Sequence, residues 1–227
     1  MTVPPADVVF LIDVDNTLLD NGAVVADFRR QLVGALGVEG DRRYWEIFEA
    51  LFRDPGFADY FGALQRYSLE GPRDPRLFDV ARFLLHYPFA ERVYPRALDL
   101  IAALRARGPV AIVSDGDVVY QPYKIERSGL WEAARGNVLV YVHKETMLDD
   151  IERRYPARRY VMVEDKIFIL AAMKAIWRER LTTVFVRQGH YAHDAELLAA
   201  SPPADITVDS IGDLIDRIDE LDNRVIE

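Results

Sequence analysis

The 227-residue chain contains no cysteine, which excludes disulfide bonds, zinc sites built on thiolates and a cysteine nucleophile. It is also short of positive charge, because its 28 lysines and arginines are outnumbered by 37 aspartates and glutamates. The resulting net charge of −9 provides no basic surface of the kind that binds nucleic acid. We therefore expect no nucleic-acid partner.

Long apolar runs are missing as well. No stretch approaches the ~18 consecutive apolar residues of a membrane-spanning helix. The N-terminal residues lack the basic segment and the long apolar stretch of a signal peptide. We therefore expect a cytoplasmic protein that has no membrane partner.

Strand-like and helix-like segments alternate over the C-terminal half of the sequence. Helical patterns at residues 121–127, 146–155, 167–180 and 211–221 lie between short apolar stretches rich in valine and isoleucine. This alternation predicts an α/β fold with a doubly wound parallel sheet. The predicted strands are residues 8–12, 110–113, 138–142, 160–163, 183–186 and 206–208.

Residues 19–89 show a different pattern. Apolar side chains recur there at helical spacing, as at Tyr44, Phe48 and Leu51. Proline and glycine at residues 54–56 and 71–75 divide the segment into several helices. We predict a helical cap at residues 19–89, inserted into a core formed by residues 1–18 and 90–227. The cap aromatics make a partly apolar roof plausible: Tyr44, Trp45, Phe48, Phe57, Tyr60 and Phe61.

Two carboxylates follow the first predicted strand. Residues 8–12 are apolar enough for a strand buried on both faces, and Asp13 and Asp15 come directly after them. Ligands of open α/β sheets bind outside the carboxyl ends of the strands. If the extended geometry continues, the two carboxylates project to the same side and repel each other. The pattern indicates a divalent metal site, an acid/base pair, or both; a turn that caps the next helix is the structural alternative.

Polar residues also follow three later strands. Ser114 and Asp115 come after residues 110–113, and Lys144 comes almost directly after residues 138–142. Glu164 and Asp165 follow residues 160–163. Taken alone, Ser-Asp-Gly is typical of a plain turn. Because parallel strands end at one edge of a sheet, we predict that these side chains converge there.

Together these motifs resemble those of the haloacid dehalogenase-like (HAD) hydrolase superfamily, in particular its phosphatase branch with a helical cap between the first and second motifs. The resemblance extends over nearly the whole chain and implies a Rossmann-like parallel-sheet core. The motifs that carry it are Asp13-Val14-Asp15-Asn16-Thr17, Ser114, Lys144 and Glu164-Asp165.

The resemblance implies a role for each of these residues. Asp13 would attack phosphorus to form an aspartyl-phosphate, and Asp15 would protonate the leaving oxygen and then activate water. Ser114 and the backbone N–H of Asp115 would bind phosphoryl oxygens. Lys144 would draw the nucleophile and the phosphoryl group together.

The resemblance also implies Mg2+ as cofactor. Asp13, the backbone carbonyl of Asp15 and Asp165 would bind the ion, because Mg2+ prefers oxygen ligands. Many relatives carry a second acid about four residues after the first, whereas residues 166–170 contain none. Glu164 would therefore act as the second carboxylate, through a metal-bound water.

The implied function is hydrolysis of a small-molecule phosphate monoester. Asp15 argues against the dehalogenase branch, since a halide leaving group needs no acid. Two alternatives are a sugar phosphomutase of the same superfamily and a catalytically weak phosphate-binding regulatory protein.

Several other polar residues are weighed against the site. Lys124 is a rival of Lys144, but it lies inside a predicted helix, so Lys144 is preferred. Lys166 is expected on the exposed surface. His190 and His193 have the spacing of metal ligands, but we expect them to be exposed as well. We expect Thr17 to hold the loop after the first strand by hydrogen bonding.

Overall fold

A six-stranded parallel sheet forms the centre of the molecule, with strand order β3-β2-β1-β4-β5-β6. The computed structural model describes residues 4–53, 56–70 and 74–221. The predicted α/β fold with a parallel Rossmann-like sheet is confirmed. The strands are β1 Ala6–Ile12, β2 Val110–Asp115, β3 Val138–Tyr141, β4 Ala157–Glu164, β5 Leu181–Val186 and β6 Ile206–Val208.

Helices connect the strands much as the sequence predicts. One difference is that residues 211–221 form a 3-10 helix rather than an α-helix. Another is that the helix after β4 ends at Trp177, because Arg178 has a φ of 51° and leaves the helical region. The α-helices are α1 Asn21–Arg53, α2 Tyr60–Tyr67, α3 Arg76–Leu85, α4 Ala97–Arg105, α5 Tyr120–Arg127, α6 Leu130–Ala133, α7 Leu148–Arg154, α8 Ile167–Trp177 and α9 Ala195–Ala200.

β1 is the central apolar strand, with neighbours on both sides. Alternate side chains point to opposite faces of the sheet. Val8, Phe10 and Ile12 belong to a cluster that includes apolar residues of α4, α5 and α6. Val9 and Leu11 belong to a second cluster, with residues of α7 and α8. Burial on both faces explains why this strand has no polar alternation.

Helices α1, α2 and α3 lie in the chain between β1 and β2. α1 is interrupted at Gly37, whose φ of 77° and ψ of 174° are not helical. A glycine suits this position because a positive φ carries no Cβ penalty there. Of the breaks predicted at residues 54–56 and 71–75, residues 54–55 and 71–73 lie outside the described residues, and residues 56, 74 and 75 are not helical.

The aromatic side chains of this helical segment pack mainly against each other. The ring of Phe28 lies 5.3 Å from that of Tyr44 and 6.2 Å from that of Trp45. The rings of Tyr60 and Phe61 lie 5.7 and 5.2 Å from that of Tyr120, which begins α5. Tyr44 and Trp45 therefore belong to the interior of the segment, whereas Tyr60 and Phe61 join it to α5.

A bilayer-spanning helix needs about 20 mostly apolar residues. Within the described ranges, none of the helices combines that length with sufficient apolar character.

Candidate active site

Four neighbouring strands bring the predicted site residues together at the carboxyl edge of the sheet. Asp13 follows β1, Ser114 lies on β2, and Lys144 begins a 3-10 turn after β3. β4 ends at Glu164, and Asp165 follows it. Each of these five side chains belongs to a residue that is no more than 2% exposed.

The ammonium group of Lys144 occupies the centre of this arrangement. Its Nζ lies 2.5 Å from Oδ1 of Asp13 and 2.5 Å from Oε2 of Glu164. The Lys144 backbone N–H donates to Oδ1 of Asp115 at 2.9 Å, which fixes the turn against the end of β2. Burial alone would lower the pKa of Lys144, but Asp13, Glu164 and Asp115 more than offset this and raise the pKa well above its usual value. Lys144 is therefore a fixed positive charge beside Asp13.

Three buried carboxylates, those of Asp13, Glu164 and Asp165, form one acidic cluster. Each offers an oxygen that lies within 4.8 Å of the others. Oδ2 of Asp13 and both carboxylate oxygens of Asp165 are buried without a hydrogen-bond partner. Burial, together with the neighbouring carboxylates, raises the pKa values of Asp165 and Glu164. Because buried polar atoms are normally paired, these oxygens fit a hard divalent cation such as Mg2+.

Glu164 has a further structural role in the loop after β4. Its Oε1 accepts hydrogen bonds from the backbone N–H groups of Asp165 and Lys166, each at 3.1 Å. Its Oε2 is the oxygen that contacts Lys144. Both oxygens of Glu164 are thus engaged by the protein, whereas those of Asp165 are not.

Asp15 lies beside a second lysine, Lys124 of α5. The Lys124 Nζ is 2.6 and 2.7 Å from the two carboxylate oxygens of Asp15 and 3.3 Å from Oδ1 of Asn21. Gln121 donates from Nε2 to Oδ2 of Asp15 at 3.2 Å and to Oγ of Ser114 at 2.8 Å. Lys144, the lysine preferred from the sequence, is thus the one that contacts Asp13, while its rival Lys124 contacts Asp15.

Sequence reasoning missed Gln121 and the contact made by Lys124. The two residues are three apart on α5, so their side chains share one face of the helix. A sequence signal was present: a lysine and a glutamine share one face of the predicted helix that follows the strand before Ser114.

One prediction was wrong, because Lys166 is half-buried rather than exposed. Burial lowers its pKa, but Glu164 and Asp13 outweigh this and raise it. The hydroxyl of Thr17 is buried without a hydrogen-bond partner, so Thr17 is bonded in the loop through its backbone, whose carbonyl oxygen accepts from Gln188. His190 and His193 are exposed, as predicted.

The loop after β1 is held by other groups. Asn16 has a φ of 61°, and its side-chain oxygen accepts from the backbone N–H of Gly22 at 3.0 Å. Gln188 donates from Nε2 to the carbonyl oxygens of Asn16 and Thr17, at 3.1 and 3.0 Å. Gly189 packs against Asn16 so closely that an added Cβ would lie 2.5 Å from the Asn16 Cβ.

A Gly189→Ala substitution is therefore expected to lower the free energy of unfolding by about 1–3 kcal/mol. Gly189 has a φ of 69°, and the added methyl group would push on the loop that carries Asp13 and Asp15. Thermal denaturation measures the effect, with Gly34→Ala as the control, since a Cβ at Gly34 would meet no atom within 4 Å. Equal stability of the Gly189→Ala and Gly34→Ala variants would contradict this account of the loop.

Comparison with known proteins agrees with the geometry. A family model described as haloacid dehalogenase-like hydrolase matches residues 8–176, which is more than half of the chain. The chain belongs to this HAD-like hydrolase family. A haloacid dehalogenase-like hydrolase from Burkholderia xenovorans LB400 is 58% identical, with a TM-score of 0.90 over 95% of this chain and 98% of that one.

More distant HAD-like structures share the fold. The L-2-haloacid dehalogenase from Xanthobacter autotrophicus, with chloropropionic acid covalently bound, is 16% identical; the TM-score is 0.59, over 93% of this chain and 98% of that one. The HAD-hydrolase YfnB from Bacillus subtilis, bound to magnesium, is 17% identical; the TM-score is 0.63, over 94% and 99%. No curated protein matches the chain.

Proposed function

We propose that this HAD-like hydrolase is a Mg2+-dependent phosphatase that cleaves a small phosphate monoester through an aspartyl-phosphate on Asp13. The supporting observation is the acidic cluster, whose unpartnered oxygens on Asp13 and Asp165 suit a divalent cation. A carboxylate nucleophile and a phosphoryl group are both negatively charged and repel each other. The reaction therefore needs positive charge close to both groups. Displacement of a halide from carbon has no such requirement.

Each step of the proposed reaction uses a residue at the carboxyl edge. The carboxylate of Asp13 attacks phosphorus, and the bond from phosphorus to the leaving oxygen breaks. Asp15 gives a proton to that oxygen and then takes one from the water that hydrolyses the aspartyl-phosphate. Asp13, the Asp15 carbonyl and Asp165 would hold Mg2+, which would supply positive charge to neutralise the phosphoryl group. Lys144 keeps its positive charge against Asp13 throughout.

Ser114 would donate a hydrogen bond from its hydroxyl to the substrate. Its Oγ already accepts a hydrogen bond from Gln121, which leaves the hydroxyl proton free. That proton can bind a non-bridging phosphoryl oxygen, together with the backbone N–H of Asp115. A hydroxyl pre-oriented in this way stabilises charge on the phosphoryl group without reorganisation.

We also propose that residues 19–89 act as a cap. The proposed nucleophile and its neighbours are almost completely buried, so a substrate requires an opening movement to reach them. The two crossings near residues 20–22 and 87–88 are the proposed hinges, and closure would exclude water during transfer. Such a site suits small phosphate esters and disfavours phosphoproteins.

The proposal is tested by phosphate release from a panel of phosphate esters, with Mg2+ or with chelator. Turnover that depends on Mg2+ supports a phosphatase, whereas halide release from 2-chloropropionate without metal would overturn it in favour of dehalogenation. Conversion of a sugar phosphate to its isomer would indicate the phosphomutase. An acyl-phosphate that persists for hours would indicate the regulatory protein.

The Asp165→Asn substitution tests metal binding separately from catalytic turnover. We expect Mg2+ to raise the melting temperature of the wild type, because a ligand that binds only the folded state stabilises it. The shift should disappear in Asp165→Asn, whose metal-free form should melt no lower than wild type, because one buried charge is gone. An unchanged Mg2+ shift would show that Asp165 is not a ligand.

A further inference from the structure

Lys124 forms an unusual, partly buried ion pair with Asp15 beside the proposed site. The proposed mechanism assigns no role to this lysine. The Lys124 side chain is 2% exposed, and its ammonium group contacts both oxygens of the Asp15 carboxylate. Burying an ammonium is costly unless a counter-charge and hydrogen bonds accompany it. Here the compensating charge is the proposed acid/base itself.

Helix α5 supplies two side chains to the same carboxylate. Lys124 contacts both oxygens, and Gln121, one turn earlier, donates to Oδ2 and also to Ser114. The carboxylate is therefore held at a fixed distance from a residue of the phosphoryl site by groups on one rigid element. A side chain held this way needs little reorganisation to act.

Lys124 also contacts the first helix of the proposed cap. Its Nζ lies 3.3 Å from Oδ1 of Asn21, where α1 begins. One ammonium group thus joins the Asp15 carboxylate to the first helix of the segment that would cover a substrate.

We propose that Lys124 is the positioning residue for Asp15, holding its carboxylate on the leaving-group side of the site and linking that position to the proposed cap. This inference rests on the proposed phosphatase function. Lys124 and Lys144 then have different roles. Lys144 provides positive charge beside the nucleophile, whereas Lys124 positions the group that protonates the leaving oxygen. Loss of Lys124 should therefore affect esters according to their leaving group.

The test compares Lys124→Met with wild type on aryl and alkyl phosphates in the presence of Mg2+. An aryl leaving group such as p-nitrophenolate needs little protonation, so kcat/KM should change by no more than about 3-fold. An alkyl leaving group does need a proton, and the loss should reach about 10²-fold, within the usual range for acid catalysis. Asp15→Asn should show the same dependence on the leaving group. An equal loss on both classes of ester would overturn the proposal.

Lys174→Met is the matched control. Lys174 is another partly buried lysine with a carboxylate partner, since its Nζ lies 2.9 Å from Oδ2 of Asp205, on α8 away from the site. Its replacement should alter thermal stability without changing the ratio of aryl to alkyl rates. If Lys124→Met does not fold, Lys124→Gln keeps a polar group there and is measured in its place.

A crystal structure of the variant tests the inference independently of enzyme activity. In a crystal structure of Lys124→Met or Lys124→Gln, the Asp15 carboxylate should have moved away from Gln121. A carboxylate that stays in place would overturn the positioning role, whatever the kinetics. A wild type that hydrolyses no phosphate ester would instead overturn the proposed function, and the position of Asp15 would still decide the role of Lys124.

Discussion

An Asp13→Asn variant is expected to lose turnover by on the order of 10⁴-fold or more and to keep its fold, because an amide cannot attack phosphorus as a carboxylate does. Its oxygen can still accept from Lys144, so the local contacts change little. Phosphate release and acid-quenched labelling of the protein measure the two halves of the reaction. No aspartyl-phosphate should form in the variant.

The control for this substitution is Asp209→Asn. The side chain of Asp209 is 84% exposed and lies 3.6 Å from the Arg187 guanidinium, far from any proposed site residue in the sequence. The same chemical change there should leave activity within about twofold of wild type, as surface substitutions do. Full activity in Asp13→Asn would eliminate the aspartyl-phosphate mechanism.

Lys144→Met is expected to cause the largest loss of stability. The buried ammonium of Lys144 compensates Asp13 and Glu164, and removing one partner of a buried ion pair costs about 3–5 kcal/mol. For a chain of this size, that corresponds to a fall in melting temperature of roughly 6–20 °C. Thermal denaturation without metal provides the measurement, because added cations would partly replace the lost charge.

Glu164→Gln serves as the second arm of a double-mutant cycle. If the loss arises from uncompensated carboxylates, then Lys144→Met combined with Glu164→Gln should melt above Lys144→Met alone. Additive effects of the two substitutions would instead mean that Lys144 and Glu164 act independently. If Lys144→Met has the same melting temperature as wild type, the carboxyl groups of Asp13 and Glu164 are protonated rather than negatively charged.

The sequence was sufficient to predict the sheet and the residues at its carboxyl edge. Asp13, Ser114, Lys144 and Asp165 each follow or end an apolar strand, and parallel strands necessarily end at one edge. Their convergence therefore needs only the strand assignments and the rule that βαβ connections give parallel neighbours. No knowledge of side-chain packing is required.

The contacts of Lys124 could not be predicted in the same way. A helical residue reaches a site only if the helix is rotated and placed so that its face points there, and packing of the whole segment sets that rotation. The same applies to the aromatics of residues 19–89. The sequence analysis placed Tyr44 and Tyr60 alike among the aromatics of a partly apolar roof, yet Tyr44 is internal to its segment and Tyr60 reaches Tyr120. Periodicity identifies a buried face without identifying what covers it.

The position of β1 in the sheet has a consequence for synthesis of the protein. β1 is synthesised before the other five strands of the sheet, but its partners are β2, which begins at Val110, and β4, which begins at Ala157. At about 5–20 residues per second, roughly 8–30 s separate the synthesis of residue 12 from that of residue 163. During that time the strand before Asp13 has at least one edge unpaired. A nascent chain that ends before residue 165 therefore cannot assemble the acidic cluster, and the edges of β1 would be open to a chaperone or to pairing with another chain.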